Sequence, residues 1–300
     1  MITRNPRWLL SLIVLFSSFF SSVATSLAED VLRIGAIPDQ NPERLNRLYS
    51  LLSTELSKEL QIPVRYIAVT NYPAAVSAFR TNSLDLVWFG GLTGVQARLQ
   101  KPGAKVLAQR DIDVNFRSVF IANTGSGIKQ INSLNELSSL RGKRFTFGSE
   151  SSTSGRLMPQ YFLQEAGIKT TEFAGQAPGF SGSHDATLAL VQSGSFEAGA
   201  LNEQVWLSAL QTGRADPQRV SLIWRTPAYA DYHWLAQGNL DKRFGDGFTN
   251  RLKQALLSWD KKSKTQATIL DLFGASRFIP ALENQYKTIE TIGRQLGKIQ

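Results

Sequence analysis

The 300-residue chain has no cysteine, which removes disulfide frameworks, thiolate chemistry and a lipid-modified cysteine anchor in one stroke. Histidine is almost as scarce, with only His184 and His233, so a zinc site lacks ligands. Beyond the first 28 residues no apolar run approaches the ~20 residues needed to cross a bilayer. Low-complexity linkers and internal repeats are missing, and no helix-turn-helix pattern precedes the first strand. Charge is the one imbalance: 33 Lys and Arg against 24 Asp and Glu, a net +9. The basic residues are scattered, however, and the only tight cluster, Lys261-Lys262-Ser263-Lys264, reads as a solvated helix end rather than a nucleic-acid surface.

What is present begins with an export signal. Arg4 and Arg7 precede an apolar run from Trp8 to Phe20, and Ser26-Leu27-Ala28 supplies a small-x-small cleavage site before Glu29. The run is short and serine-diluted for an uncleaved anchor. Residues 1–28 are therefore expected to be removed after Ala28, leaving a soluble exported protein, periplasmic where there is an outer membrane, with no stable membrane insertion. The remaining 272 residues suffice for one large or two modest domains.

Short apolar runs alternate with helical patterns, the signature of an α/β protein built on mostly parallel sheets. Strands are expected at 31–37, 64–69 and 84–89, with Leu45, Leu48, Leu52, Leu56 and Leu60 at helical spacing between the first two. Thr70-Asn71-Tyr72-Pro73 suits a helix start. A second unit holds strands at 144–147 and 198–201, and a helix opening near Ser183-His184-Asp185. Segments 118–122 and 220–224 are expected to leave and rejoin the first unit, and an amphipathic helix from Phe248 to Trp259 to close the chain. The result is two lobes, 29–118 with 225–300 and 119–224, joined by two crossings.

The most informative stretch is Phe147-Gly148-Ser149-Glu150-Ser151-Ser152-Thr153-Ser154-Gly155, in which hydroxyl side chains lie between an expected strand end and an expected helix start. The first N–H groups of a helix lack intrahelical partners and its dipole favours negative charge there, so the stretch reads as an anion cradle. A flexible serine-rich loop in which Thr153 or Ser154 merely caps the helix is the alternative. It is not a Walker loop, since Arg156-Leu157 follows Gly155.

Over nearly all of the mature length the chain resembles the periplasmic substrate-binding proteins of ABC importers for phosphonate, phosphite and related oxyanions, including the branch labelled selenate-binding. The marks are Trp88-Phe89-Gly90-Gly91, Ser118-Val119-Phe120, the 147–155 stretch, His184-Asp185-Ala186, Ala200-Leu201-Asn202-Glu203, Asp231-Tyr232 and Phe278-Ile279-Pro280. The resemblance implies a two-lobed α/β fold of the periplasmic-binding-protein type II kind, no cofactor or metal, and partnership with a membrane permease driven by a cytoplasmic ATPase. It also implies the site. Ser152, Thr153 and Ser154 match the hydroxyl triplet that holds the anion's oxygens. Tyr72 matches a first-lobe phenol donor, and Phe89 stands where phosphonate binders typically carry a second tyrosine. His184 matches a ligand-facing histidine, and Glu203 and Asp231 match carboxylates facing the ligand's substituent.

A carboxylate beside an anion is repulsive unless a proton lies between them, so these acids favour a ligand with an acidic O–H, a phosphorus oxyanion over sulfate or selenate. Donors of hydroxyl, imidazole and N–H type rather than Arg and Lys suit a carrier that must release its cargo. Two other classes stand beside this one. A sensory oxyanion-binding module would use the same lobes, and a secreted hydrolase would use Ser154, His184 and Asp231 as a triad, although no Gly-x-Ser-x-Gly elbow is present.

Overall fold

The computed structural model describes residues 1–2 and 30–300, so the export signal expected over 1–28, with its cleavage after Ala28, lies outside the described residues apart from Met1 and Ile2. In chain order the strands are β1 (Leu32–Ala36), β2 (Val64–Tyr66), β3 (Leu86–Phe89), β4 (Lys105–Arg110), β5 (Ser118–Asn123), β6 (Phe145–Phe147), β7 (Gly179–Phe180), β8 (Ala198–Asn202), β9 (Val220–Arg225), β10 (His233–Ala236) and β11 (Phe278–Pro280). They form a six-stranded sheet of order β11-β4-β10-β3-β1-β2 and a five-stranded sheet of order β7-β6-β8-β5-β9. The first carries α1 (Pro42–Leu60), α2 (Tyr72–Arg80) and α3 (Gly91–Gln100), and the second α4 (Met158–Glu165), α5 (His184–Gln192) and α6 (Glu203–Gln211). The chain then returns to the first through α7 (Leu240–Phe244), α8 (Phe248–Ser258), α9 (Lys264–Phe273) and α10 (Lys287–Gln295). No helix among the described residues is long and apolar enough to cross a membrane.

Local chemistry explains the element starts. The Asn41 side chain accepts from the N–H groups of Glu43 and Arg44, Pro42 opens α1, and the predicted leucine stripe buries Leu45, Leu48, Leu52 and Leu56 against the first sheet. Asn71 caps α2 by accepting from Ala74 N–H. In β5 the alternation of the strand sends Phe120 and Ala122 to one face of the second sheet and Val119 and Ile121 to the other, so that sheet has a separate apolar cluster on each side.

Three expectations need correction. The sheets are mixed rather than mostly parallel, because β10 runs antiparallel to β3 and β4, β11 to β4, and β5 to β8 and β9. The reason lies in the crossings. Phe116 and Tyr229 exchange both main-chain hydrogen bonds at 2.9 Å, so the outgoing and returning segments run side by side in opposite directions and impose that opposition on the strands they feed. Residues 220–225 do not themselves return to the first sheet; β9 pairs with β5, and the return follows it. Nor does the 248–258 helix close the chain, since α9, β11 and α10 come after it.

One close approach fixes how α3 sits on the first sheet. Gly94 faces the buried imidazole of His233 on β10, and a Cβ at that position would lie 2.3 Å from two of its ring atoms. The ring is pinned from its other side by Tyr286, with centroids 4.1 Å apart. Gly94→Ala is expected to destabilise the protein by about 1–3 kcal/mol through overpacking, outweighing the up to about 1 kcal/mol that Ala gains over Gly in a helix interior. Urea unfolding with a lowered midpoint and unchanged slope is the expected result.

Candidate functional site

The site is built where the first turns of two helices face each other across the seam between the sheets. At the end of β3, Gly90 caps α3 without a side chain, and the first N–H groups of that helix reach outward for acceptors. Gly91 N–H donates to Asp231 Oδ1 at 2.8 Å, and Leu92 N–H donates to Thr153 Oγ1 at 2.9 Å. The glycine is required by proximity: a Cβ on Gly90 would lie 3.1 Å from Thr153 Oγ1 and 3.4 Å from Asp231 Oδ1.

The opposing turn is the hydroxyl run. Ser152 caps it by accepting from Gly155 N–H at 2.9 Å, residues Thr153–Leu157 form one π-helical turn, and α4 continues from Met158. The run does open a helix, but its hydroxyls divide the work: Ser152 caps, Thr153 receives the N–H from α3, and Ser154 Oγ bonds to no protein group. Two further buried atoms lack a protein partner here, Tyr72 Oη at the first residue of α2 and Asp231 Oδ2 just before β10. Each has a polar neighbour within weak hydrogen-bonding reach, Ser152 for the Tyr72 phenol, the Tyr229 phenol for Ser154 and Thr153 for Asp231, but none makes a well-aligned bond, and all three atoms border the hydroxyl turn. Burial pushes the Asp231 carboxyl up to about 7, against the pull of the Gly91 N–H.

His184 sits beside this region with its nitrogens turned to other work. Its Nδ1 accepts from Asn202 N–H at 3.3 Å, which assigns the proton to Nε2, 3.3 Å from Tyr232 Oη. Burial lowers its pKa to about 4, so the ring is neutral. Tyr232 Oη also accepts from Asn202 Nδ2 and donates to Asp39 Oδ2, both at 3.0 Å. Burial pushes the Asp39 carboxyl up to about 6, which the Tyr232 bond and the Arg110 charge partly offset. This chain of bonds ties residues of the first sheet (Asp39, Tyr232) to residues of the second (His184, Asn202). His184 still borders the hydroxyl turn, because a Cβ on Gly155 would lie 3.1 Å from its Cε1.

Of the eight residues singled out in the sequence, Tyr72, Ser152, Thr153, Ser154 and Asp231 come together, with His184 at their edge. Phe89 is adjacent in the chain to the α3 cap, but its ring packs edge-on against Phe79 and contributes apolar wall. Glu203 is not part of the cluster: at the start of α6 it forms an ion pair with half-exposed Arg225, beside Arg117 and Leu207. A carboxylate at a helix start next to a strand arginine finds that partner before it finds a cleft. The Ser154, His184 and Asp231 triad fails on geometry, since Ser154 Oγ has no bond to imidazole and Asp231 Oδ1 is taken by Gly91. Among the described residues no group of three His, Asp or Glu is placed to hold a metal.

The sequence reading gave no site role to Asp39, nor to Asn202, Tyr232 and Gly91, which it quoted only as marks of the resemblance, nor to the Leu92 N–H. Asn202 and Tyr232 each stand next to a residue that was singled out; Asp39, at the end of β1, carries no local signal at all. It also missed two buried arginines. Arg110 pairs with Asp113 at 2.6 Å and lies under Tyr232, 4.8 Å from its ring centroid. Arg156, inside the hydroxyl turn, stacks over Phe147 and Phe180 with its Nε and Nη1 bonded to no protein group.

Residues 34–286 match the family of phosphonate ABC transporter periplasmic substrate-binding proteins. The chain is 55% identical over 293 residues, 98% of each chain, to the probable ABC transporter phosphite binding protein PhnD1 of Prochlorococcus marinus (strain MIT 9301). Its fold is similar to the structure of that organism's PhnD1 in complex with methylphosphonate, with a TM-score of 0.88 at 56% identity, covering 90% of this chain and 99% of the other. A binding protein component of an ABC phosphonate transporter from Pseudomonas aeruginosa shares the fold at 18% identity, with a TM-score of 0.77 over 90% of this chain and 87% of the other.

The raised Asp231 carboxyl has a consequence for stability. Between the unfolded carboxyl's ordinary value near 4 and the folded value of about 7, the folded state holds a proton that the unfolded state has lost, so stability falls as pH rises through that window. Asp39 contributes the same sign up to about 6. Asp231→Asn, which keeps the acceptor for Gly91 N–H and cannot ionise, is expected to flatten this decline and to make the ligand-free protein more stable than the parent at pH 8. Urea unfolding from pH 4 to pH 8 measures it; parallel curves for the two proteins would contradict the assignment.

Proposed function

The chain belongs to the periplasmic substrate-binding proteins of phosphonate ABC transporters, and from that membership we propose that it captures phosphite or methylphosphonate in the seam between its lobes. The observation that carries the reading is the gathering of Tyr72 Oη, Ser154 Oγ and Asp231 Oδ2, buried and without well-aligned protein partners, around the starting turns of α2, α3 and the hydroxyl segment. Buried polar atoms are almost always hydrogen-bonded, and two hydroxyl donors beside a proton-sharing acid suit a small tetrahedral oxyanion. Arg156 adds positive charge from behind the turn without a direct bond to carboxylate.

Asp231 sets the chemistry of the guest. With a carboxyl near pH 7, it and an ionisable P–O–H group can share one proton, whereas sulfate and selenate bring none. Neither relative described above is named for selenate. The lobes divide at the two crossings marked by the Phe116–Tyr229 pair, a few residues outside the expected division into 29–118 with 225–300 and 119–224 because Ser118 and Arg225 lie in strands of the second sheet, and closure about these crossings traps the anion without chemical change. The remaining parts of the reading rest on the family: export with removal of residues 1–28 after Ala28, residence in the periplasm, and delivery to a permease driven by a cytoplasmic ATPase.

Calorimetry with phosphite, methylphosphonate, 2-aminoethylphosphonate, phosphate, arsenate, sulfate and selenate tests the reading, with phosphite and methylphosphonate expected to bind most tightly. Ser154→Ala and Tyr72→Phe are each expected to weaken methylphosphonate binding about tenfold or more, the worth of a hydrogen bond to a charged group. Asp231→Asn should narrow the preference for phosphite over selenate. An unchanged ratio in that variant, or parent protein that binds selenate as tightly as phosphite, would refute the assignment.

A further inference from the structure

On the rim where the lobes meet, outside the ligand seam, a cavity of about 520 Å³ lies between α1 and α5 and is lined by Arg44, Arg47 and Arg214 together with Glu43 and Asp185. Its arginines come from both lobes: Arg44 and Arg47 from α1, Arg214 from the segment after α6. Asp185 joins the two sides. One carboxylate oxygen pairs with Arg214 and the other accepts Asn41 N–H at 2.7 Å across the seam. Immediately beneath, His184 N–H donates to Asp39 O at 2.9 Å, so the lobes are in direct main-chain contact at this edge.

The charges do not balance. Among the described residues neither Arg44 nor Arg47 forms an ion pair; the Arg44 guanidinium donates only to Leu272 O at 3.0 Å, and Arg47 is exposed. Burial foremost, and then the neighbouring Arg214 and Arg47 charges, pull the Arg44 guanidinium below its ordinary value, with Asp185 and Asp39 partly offsetting them. Glu43 and Asp185 set two negative charges against the three arginines, and of these only Asp185 is paired, with Arg214. Bringing Arg214 up to Arg44 and Arg47 therefore leaves a site that acidic groups on another molecule would complete, and it exists only while the lobes touch.

We propose that this arginine rim is a docking point for acidic side chains of the membrane permease, and that it reports lobe closure because neither lobe alone carries all three arginines. The proposal rests on the transport reading above. A surface assembled by closure lets the partner distinguish loaded from empty protein by charge geometry, with no contact to the cargo.

The test uses Arg47→Glu, at an exposed position with no hydrogen bond to lose, and Arg44→Gln/Arg47→Glu, each compared with the parent protein. Methylphosphonate binding is read by calorimetry, and uptake in cells carrying the matching permease and ATPase. The expected result is ligand affinity within about twofold of the parent, with uptake reduced about tenfold or more and the defect larger in the double variant. Parent-level uptake in both variants overturns the proposal, as does a loss of uptake that only follows a loss of methylphosphonate affinity. Tight binding of tripolyphosphate to the parent that vanishes in Arg47→Glu with uptake intact overturns it too, and assigns the rim to a small polyanion. Parent protein that binds neither phosphite nor methylphosphonate fails at the underlying reading, a different result from any of these.

Discussion

Two helix starts buried against each other would leave their N–H groups unpaired, and the molecule is organised around preventing that. The Gly91 and Leu92 N–H groups of α3 find Asp231 and Thr153, the latter belonging to the opposite sheet. Leaving such a donor buried without a partner costs about 1–3 kcal/mol, so these bonds constrain what can stand at each position. Thr153 is held by the first lobe and thereby positions Ser152 and Ser154 on either side of it. Asp231 spends one oxygen on Gly91 and has the other left to face the seam. A structural requirement of the backbone thus decides which side-chain atoms remain for a ligand.

The second tie crosses between the lobes through uncharged groups. Imidazole and carboxamide donate to the Tyr232 phenol, which accepts twice and donates once, to the Asp39 carboxyl on its own lobe. The phenol is held in place by stacking on Trp88, at 5.7 Å between centroids, and by the Arg110 guanidinium beneath it. Arg110 is in turn neutralised by Asp113. The Arg110 charge is thus set back from this tie and paired, so parting the lobes here breaks hydrogen bonds rather than an ion pair.

Much of this was legible in the sequence because it is encoded locally. The leucine spacing of α1, the Asn71-Tyr72-Pro73 start of α2 and the strand, glycine and hydroxyl order at 147–155 each depend on neighbours within a few residues, and each falls where the pattern puts it. What escaped depends on partners far apart in the chain. Strand direction in the mixed sheets follows from Phe116 meeting Tyr229, and the role of Asp39 follows from Tyr232, 193 positions later. Glu203 shows the converse error: its place at a helix start was readable, but its partner, Arg225 on a different element, was not, and that ion pair settles where its carboxylate goes.

The same distinction bears on how an anion site without a direct Arg or Lys contact can be strong enough to capture and weak enough to release. Hydroxyl donors and helix-terminal dipoles supply directed partial charges that lose little by facing water when the lobes part. Arg156 supplies a full charge, but its guanidinium is occupied by the faces of Phe147 and Phe180, which fixes it at a distance and keeps it from forming a bidentate pair. Opposing it, Asp231 can carry a negative charge or a proton: a guest with its own O–H can donate to the carboxylate, whereas a guest without one is accommodated only once Asp231 has taken up a proton from solution. Attraction from Arg156 is therefore constant, while the response of Asp231 depends on whether the guest can share a proton, and selectivity resides in the second term.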